Sequence, residues 1–489
     1  MLEKLDDVPW SDLHHAYGPA DDVPAQLRAL RSDDADVRKK SLWSLFGTIF
    51  HQGTRYEASS HAVPFLLELA AAPATPSRES VIELLVALAI GSDESYLPGG
   101  FPLAELQSAA TGGAALLRDG GPLASLPEAD QDRLQARIEL NAYEAVAAGV
   151  PLFVPLLKDP DPAVRRMAAY ALGWFPAPSP HFSSSGPDVP IAPPLPLNPA
   201  APLPANPDTA APLSPSPETS TDALPSASPA AHTAAPPPPS PAAHAPASPS
   251  PNPEVHAAPP SDRPDVHAAP PSLSPEVPIA GAASPSSVAL AEALADEDAS
   301  VAATAALSLG LLGETAGSVL AEAAIASALG DPREVVRGGA AIALAKAHGR
   351  AAPRRVVDEL LSWAAGGQAT EVPYLDGDLA GYAARSLALV LPDESDEALD
   401  ALLGRLPTVS GAEALPVVGE ALRRVFPGGP IVSGTPFDAL TERQKRVVRA
   451  LAGSPSTWLF LERAYGNFAW LIGSYGLPSD EEAMRAYAT

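Results

Sequence analysis

The sequence predicts an all-α solenoid of stacked helical hairpins, interrupted by a long disordered insert rich in Pro, Ala and Ser. Three observations carry that expectation. The pattern Asp-Pro-x-x-x-Val-Arg-x-x-Ala-Ala-x-Ala-Leu occurs twice without a shift, from Asp159 to Leu172 and from Asp331 to Leu344. A Pro-headed apolar segment recurs ahead of such stretches, as Val63-Pro64-Phe65-Leu66-Leu67, Val154-Pro155-Leu156-Leu157 and, less fully, Val23-Pro24 with Leu27. Between the two full copies lies the tract from Pro176 to Pro285, which holds 34 of the 59 prolines.

Each copy reads as a helix. Asp159 is placed to cap it by accepting backbone N–H bonds, and Pro160 suits the first helical position. Val164, Ala168, Ala171 and Leu172 then share one stripe, whose alanines let neighbouring helices approach closely. Asp331, Pro332, Val336, Arg337, Ala340, Ala341, Ala343 and Leu344 repeat the spacing. Weaker copies start at Asp296, where Ala302 replaces the Arg, and at Asp376, where Gly381 replaces the Val. Others start at Ser32, with Val37, Arg38 and Leu45, and at Ala72, with Arg78, Val81, Ile82, Leu84 and Leu85.

Intervals between starts are 40, 87, 137, 35 and 45 residues. The 87-residue gap predicts a missing unit over Ala129 to Ala148, and the 137-residue gap is one period plus the Pro-rich tract. Pro-headed helix and repeat helix together form a hairpin, and hairpins repeating every ~35 to 45 residues stack so that each buries its face against its neighbours. The expected division is therefore residues 1–175 and 286–395 as one repeat array, 176–285 as the insert, and 396–489 as an atypical helical cap.

The insert has too little apolar surface to offset its ordering entropy, which predicts disorder with polyproline II character. His232, His244, His256 and His267 recur within it at near-regular spacing, a duplication typical of low-complexity sequence. Past residue 390, Gly404, Pro427-Gly428-Gly429-Pro430 and Gly453-Ser454-Pro455 separate expected helices at 396–405, 412–426, 438–452 and 456–465, and a last one is expected to start at Ser479.

The repeated pattern resembles the bacterial HEAT repeat, including the HEAT-like class of phycobilisome lyases. Trp10-Ser-Asp-Leu-His-His-Ala-Tyr-Gly18, Asp22-Val-Pro24, His51-Gln-Gly-Thr-x-Tyr56 and Val63-Pro-Phe-Leu-Leu67 are also similar to HEAT-repeat proteins of high-GC bacteria. The resemblance covers residues 10–175 and, more loosely, 286–390. It implies a HEAT-type α-solenoid and brings no established activity; the repeat spacing and the absence of a chemical site point to a scaffold that docks a protein partner on its concave surface, with the insert as a tether or second docking element. It also brings an alternative, a lyase or isomerase acting on a tetrapyrrole with His14, His15, Tyr17, His51 and Tyr56 at its site, and a third reading as a DNA-binding protein.

Charge bears on these readings. The chain carries 31 Lys plus Arg against 58 Asp plus Glu, a net charge of −27. The insert supplies eight acids and one base, or −7, leaving −20 on the remainder, which opposes a phosphate backbone. Cysteine is absent, which excludes thiolate chemistry and fits a reducing cytoplasm. No uncharged apolar run reaches the ~18 to 20 residues needed to cross a bilayer.

Catalytic signatures are missing as well. No phosphate loop, nucleophile elbow or cofactor motif stands out. His14 and His15 are adjacent and point apart on a helix, while His51 is expected to end a helix before Gly53, with a capping box at Thr54 to Glu57. Arg38, Arg78, Arg165 and Arg337 share one repeat position. A ladder of guanidinium groups could bind an anion, but pairing with an Asp of the adjacent unit is the expected role. Arg443, Lys445, Arg446 and Arg449 read as a solvated helix face, and Trp10, Trp43, Trp174, Trp363, Trp458 and Trp470 as packing residues.

Overall fold

The computed structural model describes residues 2–119, 125–176, 284–313 and 319–489. The expected disorder of the insert, and its spaced histidines, lie outside the described residues.

Helical hairpins follow one another along the chain. They are α1 (Val23–Ala29) with α2 (Ala35–Thr48), α3 (Glu57–Ala71) with α4 (Arg78–Ile90), and, past three intervening helices, α8 (Val150–Leu156) with α9 (Pro162–Leu172). Beyond the insert come α10 (Pro285–Ala293) with α11 (Ala299–Leu312), α12 (Val319–Ala328) with α13 (Glu334–His348), α14 (Arg354–Gly366) with α15 (Leu379–Val390), and α16 (Asp396–Arg405) with α17 (Ala414–Val425). The second helices form a row in which α4 packs on α9, α9 on α11, α11 on α13, α13 on α15 and α15 on α17. Hairpins before and after the insert thus meet directly. Alanine and glycine make the contact close: a Cβ on Gly310 would stand 2.7 Å from Ala343 Cα, and one on Gly339 would stand 2.8 Å from the Ala303 carbonyl oxygen.

The expected missing unit at 129–148 is not a hairpin. Residues Glu128–Ala147 form one long helix, α7, which packs against α3 and α4 and is flanked by the short α5 (Leu103–Ala109) and α6 (Gly113–Asp119). Because α4 packs on α9, the 87-residue interval holds an insertion beside the row and no additional rung within it.

The helix starts also differ from expectation. Asp159 does not cap α9: Asp161 does, accepting from Ala163 N, and Pro162 rather than Pro160 occupies the first turn. Asp159 Oδ1 instead accepts from Asp161 N at 3.0 Å, and Asp296, Asp331 and Ser32 make the same turn two residues before Asp298, Arg333 and Asp34. In three of these four turns two polar residues share the work, one bending the chain and the one two places on capping the helix, whereas Arg333 makes no side-chain cap. The Pro-headed segments shift too, since Pro64 and Pro155 lie inside α3 and α8.

Short β-hairpins occur at both ends of the row. At the N-terminal end, β1 (His14–His15) pairs with β2 (Gly18–Pro19), and β3 (Phe50–His51) with β4 (Thr54–Arg55). Near the C-terminus, β5 (Leu459–Phe460) pairs with β6 (Arg463–Ala464), where a helix was expected at 456–465. The remaining helices are α18 (Glu442–Ala452), α19 (Gly466–Ser474) and α20 (Glu481–Tyr487), the last capped by Asp480 rather than Ser479. Gln52 and Gly53 take positive φ in the β3–β4 turn, so the expected box at Thr54 to Glu57 gives way to a strand. The α3 start is closed by Ser59, whose Oγ accepts from Tyr56 N at 2.7 Å and donates to Ile49 O at 2.6 Å.

Candidate functional site

Three of the four repeated arginines occupy one structural position, fourth in their helix, whereas Arg78 begins α4. Arg38, Arg165 and Arg337 each donate through Nη1 to the backbone oxygens six and five residues earlier: Ser32 and Asp33, Asp159 and Pro160, Asp331 and Pro332, at 2.8 to 3.3 Å. In Arg165 and Arg337 the rest of the guanidinium turns toward the next unit, and Arg78 reaches it from its own position. Arg78 meets Asp159 at 2.7 Å, both side chains 8% exposed, and Arg165 grips Asp296 with two hydrogen bonds of 2.8 and 2.9 Å. Arg337 reaches Glu359 at 3.4 Å. The Arg165–Asp296 pair is bidentate and the other two are single contacts, so Arg78, Arg165 and Arg337 are each engaged at a joint between hairpins.

At Asp296 the repeat lacks its arginine, and Ala302 is fully buried. Arg333 fills the gap from the following unit. Its Nη1 donates to the oxygens of Asp296 and Glu297 at 2.7 and 3.3 Å, while Nε and Nη2 bind the Asp331 carboxylate at 2.9 Å. Sequence reading missed this residue. The available signal was an Arg gained at the third position of one copy beside an Arg lost from the copy before it.

A second network binds distant units. The loop between α14 and α15 runs back over α9 and α11, where the Tyr374 hydroxyl lies 2.8 Å from Ser308 Oγ and its ring sits edge-on to Tyr170 at 4.7 Å. The next residue, Leu375, donates its backbone N–H to Asp93 Oδ2 at 3.1 Å, and Tyr170 Oη donates to the same oxygen. Leu375 and Asp376 both hold positive φ, strain that the surrounding contacts sustain. Burial pushes the Asp93 carboxyl up to about 7 against these two hydrogen bonds, with the negative charges of Asp376 and Glu94 assisting. Glu83, which still reaches solvent, is raised to about 7 by desolvation first and by Asp376 and Glu79 after it. The middle of the row of second helices is covered by this loop, and α11 is buried on almost every side.

The His and Tyr residues set apart in the sequence do come together. The β1–β2 and β3–β4 turns lie side by side, joined by a hydrogen bond from Ala16 N to Thr48 O, and the Tyr17 ring stands 5.5 Å from the His51 ring. Burial and the nearby Tyr17 raise the Tyr56 hydroxyl. His14 Nδ1 is 3.2 Å from Glu57 and His15 Nε2 is 2.9 Å from Asp22. His14 and His15 thus each have their own carboxylate, and among the described residues no three metal-binding side chains converge. Tyr17 itself is 70% exposed.

The basic residues of α18 bridge to acids rather than facing solvent alone. Arg443 and Arg446 meet Asp396, and Arg446 also meets Asp400, which ties α18 to α16. Beside them Asp393, Arg423, Phe426 and Tyr475 line an open depression of about 390 Å³. Arg423 is already bonded there to Asp393 and Glu420.

Comparison with known proteins gives limited but specific information. No curated protein matches the chain. A crystal structure of an engineered protein from a structural genomics consortium is 15% identical over 96% of this chain and 97% of its own, with a TM-score of 0.25. Among the described residues, no helix is long and apolar enough to cross a membrane. Residues 150–173 match the HEAT repeat family model; they correspond to the α8–α9 hairpin, and the all-α stack is of the HEAT type.

Proposed function

We propose that this protein is a non-enzymatic interaction scaffold in a reducing cytoplasm, and that its protein partner docks at the ends of the helix row. One observation supports the location. Of the large exposed apolar side chains, Tyr17, Val37 and Trp43 lie near the N-terminal end and Val432, Leu459, Leu461 and Trp470 near the C-terminal end, while the middle of the row shows only Leu152 and Val288 among the described residues. In the middle of the row, loop and helices cover each other. Exposed aromatic and aliphatic groups beside polar ones are the usual anchors of a protein interface.

The docking test pairs cross-linking with substitution. Cross-links from the native chain to a captured partner are expected at the two ends, and Tyr17→Asp or Leu461→Asp should reduce capture at least tenfold without lowering helicity. Capture that survives both changes together, or cross-links confined to the middle of the row, would refute the location.

A further inference from the structure

Two segments far apart along the row clasp one another. The turn after α4 touches both the loop before α15 and α15 itself, yet α4 and α15 stand four steps apart in the order α4, α9, α11, α13, α15. Packed helices lie ~8 to 10 Å apart, so a straight row would hold the two more than ~30 Å from each other. The row therefore curves, and the clasp spans the inside of the curve.

Two sets of bonds hold it shut. Leu375 N–H donates to Asp93 Oδ2 at 3.1 Å, and Arg385 of α15 donates to the backbone oxygens of Glu94 and Leu97. Leu375 and Asp376 keep their positive φ only while these contacts last.

Carboxyl groups crowd the clasp from each side. Asp93 and Glu94 stand on the turn, Asp376 on the facing loop and Glu79 and Glu83 on α4, while Asp378 caps α15. Tyr170, Tyr374 and Tyr382 face Asp93 from α9, the loop and α15, and burial keeps them neutral. The facing cations are Arg385 beside Glu94, Arg166 of α9 on Glu371, and Arg405, which acts with Arg385 on Asp378. Burial pushes Asp93 and Glu83 up to about 7, and neighbouring carboxylates add to it. A carboxyl released to water returns to its ordinary value near ~4. Between about pH 4 and 7 the closed clasp thus holds protons that the open one gives up.

We propose that this clasp is a pH-controlled closure of the curved row, shut while the carboxyls at its foot are protonated and opening locally as they ionise, which frees the turn after α4 from α15 and uncovers Tyr170. It is separate from the docking ends, so either reading can fail without the other.

Hydrogen exchange of the full chain, read by mass spectrometry and corrected for the intrinsic pH dependence of amide exchange, tests it. At pH 7.5 the amides of residues 370–378 are expected to exchange at least tenfold faster than those of α17, which makes the opening local. Their protection should fall at least tenfold from pH 5.5 to 7.5. Asp93→Asn keeps an acceptor for Leu375 but cannot ionise, and should shrink that fall at least threefold; Glu83→Gln, at an exposed position, should shrink it less. Exchange no faster than in α17, protection that does not change with pH, or a fall that the folded variants leave intact would each overturn the proposal.

Discussion

The joints on the two sides of α11 are built alike from opposite directions. Between α9 and α11, Arg165 holds two carbonyls of its own unit and reaches forward to the Asp296 carboxylate. Between α11 and α13, Arg333 holds the corresponding carbonyls of the unit before it and binds Asp331 within its own. What recurs is therefore a guanidinium between two backbone oxygens and the next acid, and the residue that supplies it is free to change. The comparison also explains why the Arg165 and Arg333 guanidiniums are joinery: each spends its donors on backbone oxygens and an acid of the array.

Breaking the first joint should have the largest effect. Arg165→Ala leaves the Asp296 carboxylate, only 10% exposed, without its bidentate partner, and a loss of about 2 kcal/mol in denaturant unfolding is expected. The joint sits at the rim of the stack, which keeps the figure below that of a deeply buried pair. Partner capture by the folded variant should be unchanged.

The second joint allows a sharper test. Arg333→Ala should cost about 1.5 kcal/mol. Ala302→Arg alone should also destabilise, because the new side chain meets the space Arg333 already fills. Combined, the two changes restore the arrangement of the Arg165 joint, so the double variant should be more stable than either single one. Additive losses measured by denaturant unfolding would show that the two joints are not equivalent.

A smaller effect separates these joints from the loop contact at Asp93. Its folded value of about 7 lies above the 3.8 of an unperturbed Asp, so the folded chain binds a proton that the unfolded chain does not between about pH 4 and 7. Stability should accordingly rise as pH falls from 7.5 to 5.5, and Asp93→Asn should reduce that gain by on the order of 1 kcal/mol. Thermal midpoints of both proteins across this window check the sign. An unchanged slope would remove Asp93 as a contributor.

Much of the array was legible because Val164, Val336 and their alanine stripes fall at helical spacing and at repeat distance. The capping detail was not, since Asp159-Pro-Asp161-Pro162 offers two acid–proline pairs and local sequence does not rank them. Interval arithmetic could not distinguish a hairpin from the lone helix α7, which occupies a similar length of chain. The β5–β6 turn was hidden for another reason: Leu461 and Glu462 both adopt positive φ without a glycine to announce it. Tyr374 on Tyr170 and Leu375 on Asp93 are contacts across units remote in sequence, set by the stack as a whole. The His and Tyr residues near the N-terminus were singled out, but their proximity depends on two hairpins that helical spacing does not predict.

The central claim is that the hairpins before and after the insert form one stack, and a double-mutant cycle on Arg165 and Asp296 tests it most directly. The two residues are 131 apart in sequence and meet at 2.8 Å. Unfolding of the native chain, Arg165→Ala, Asp296→Ala and the double variant should give a coupling of at least about 1 kcal/mol. A coupling near zero would contradict the account, because the two halves would then not be joined at α9 and α11.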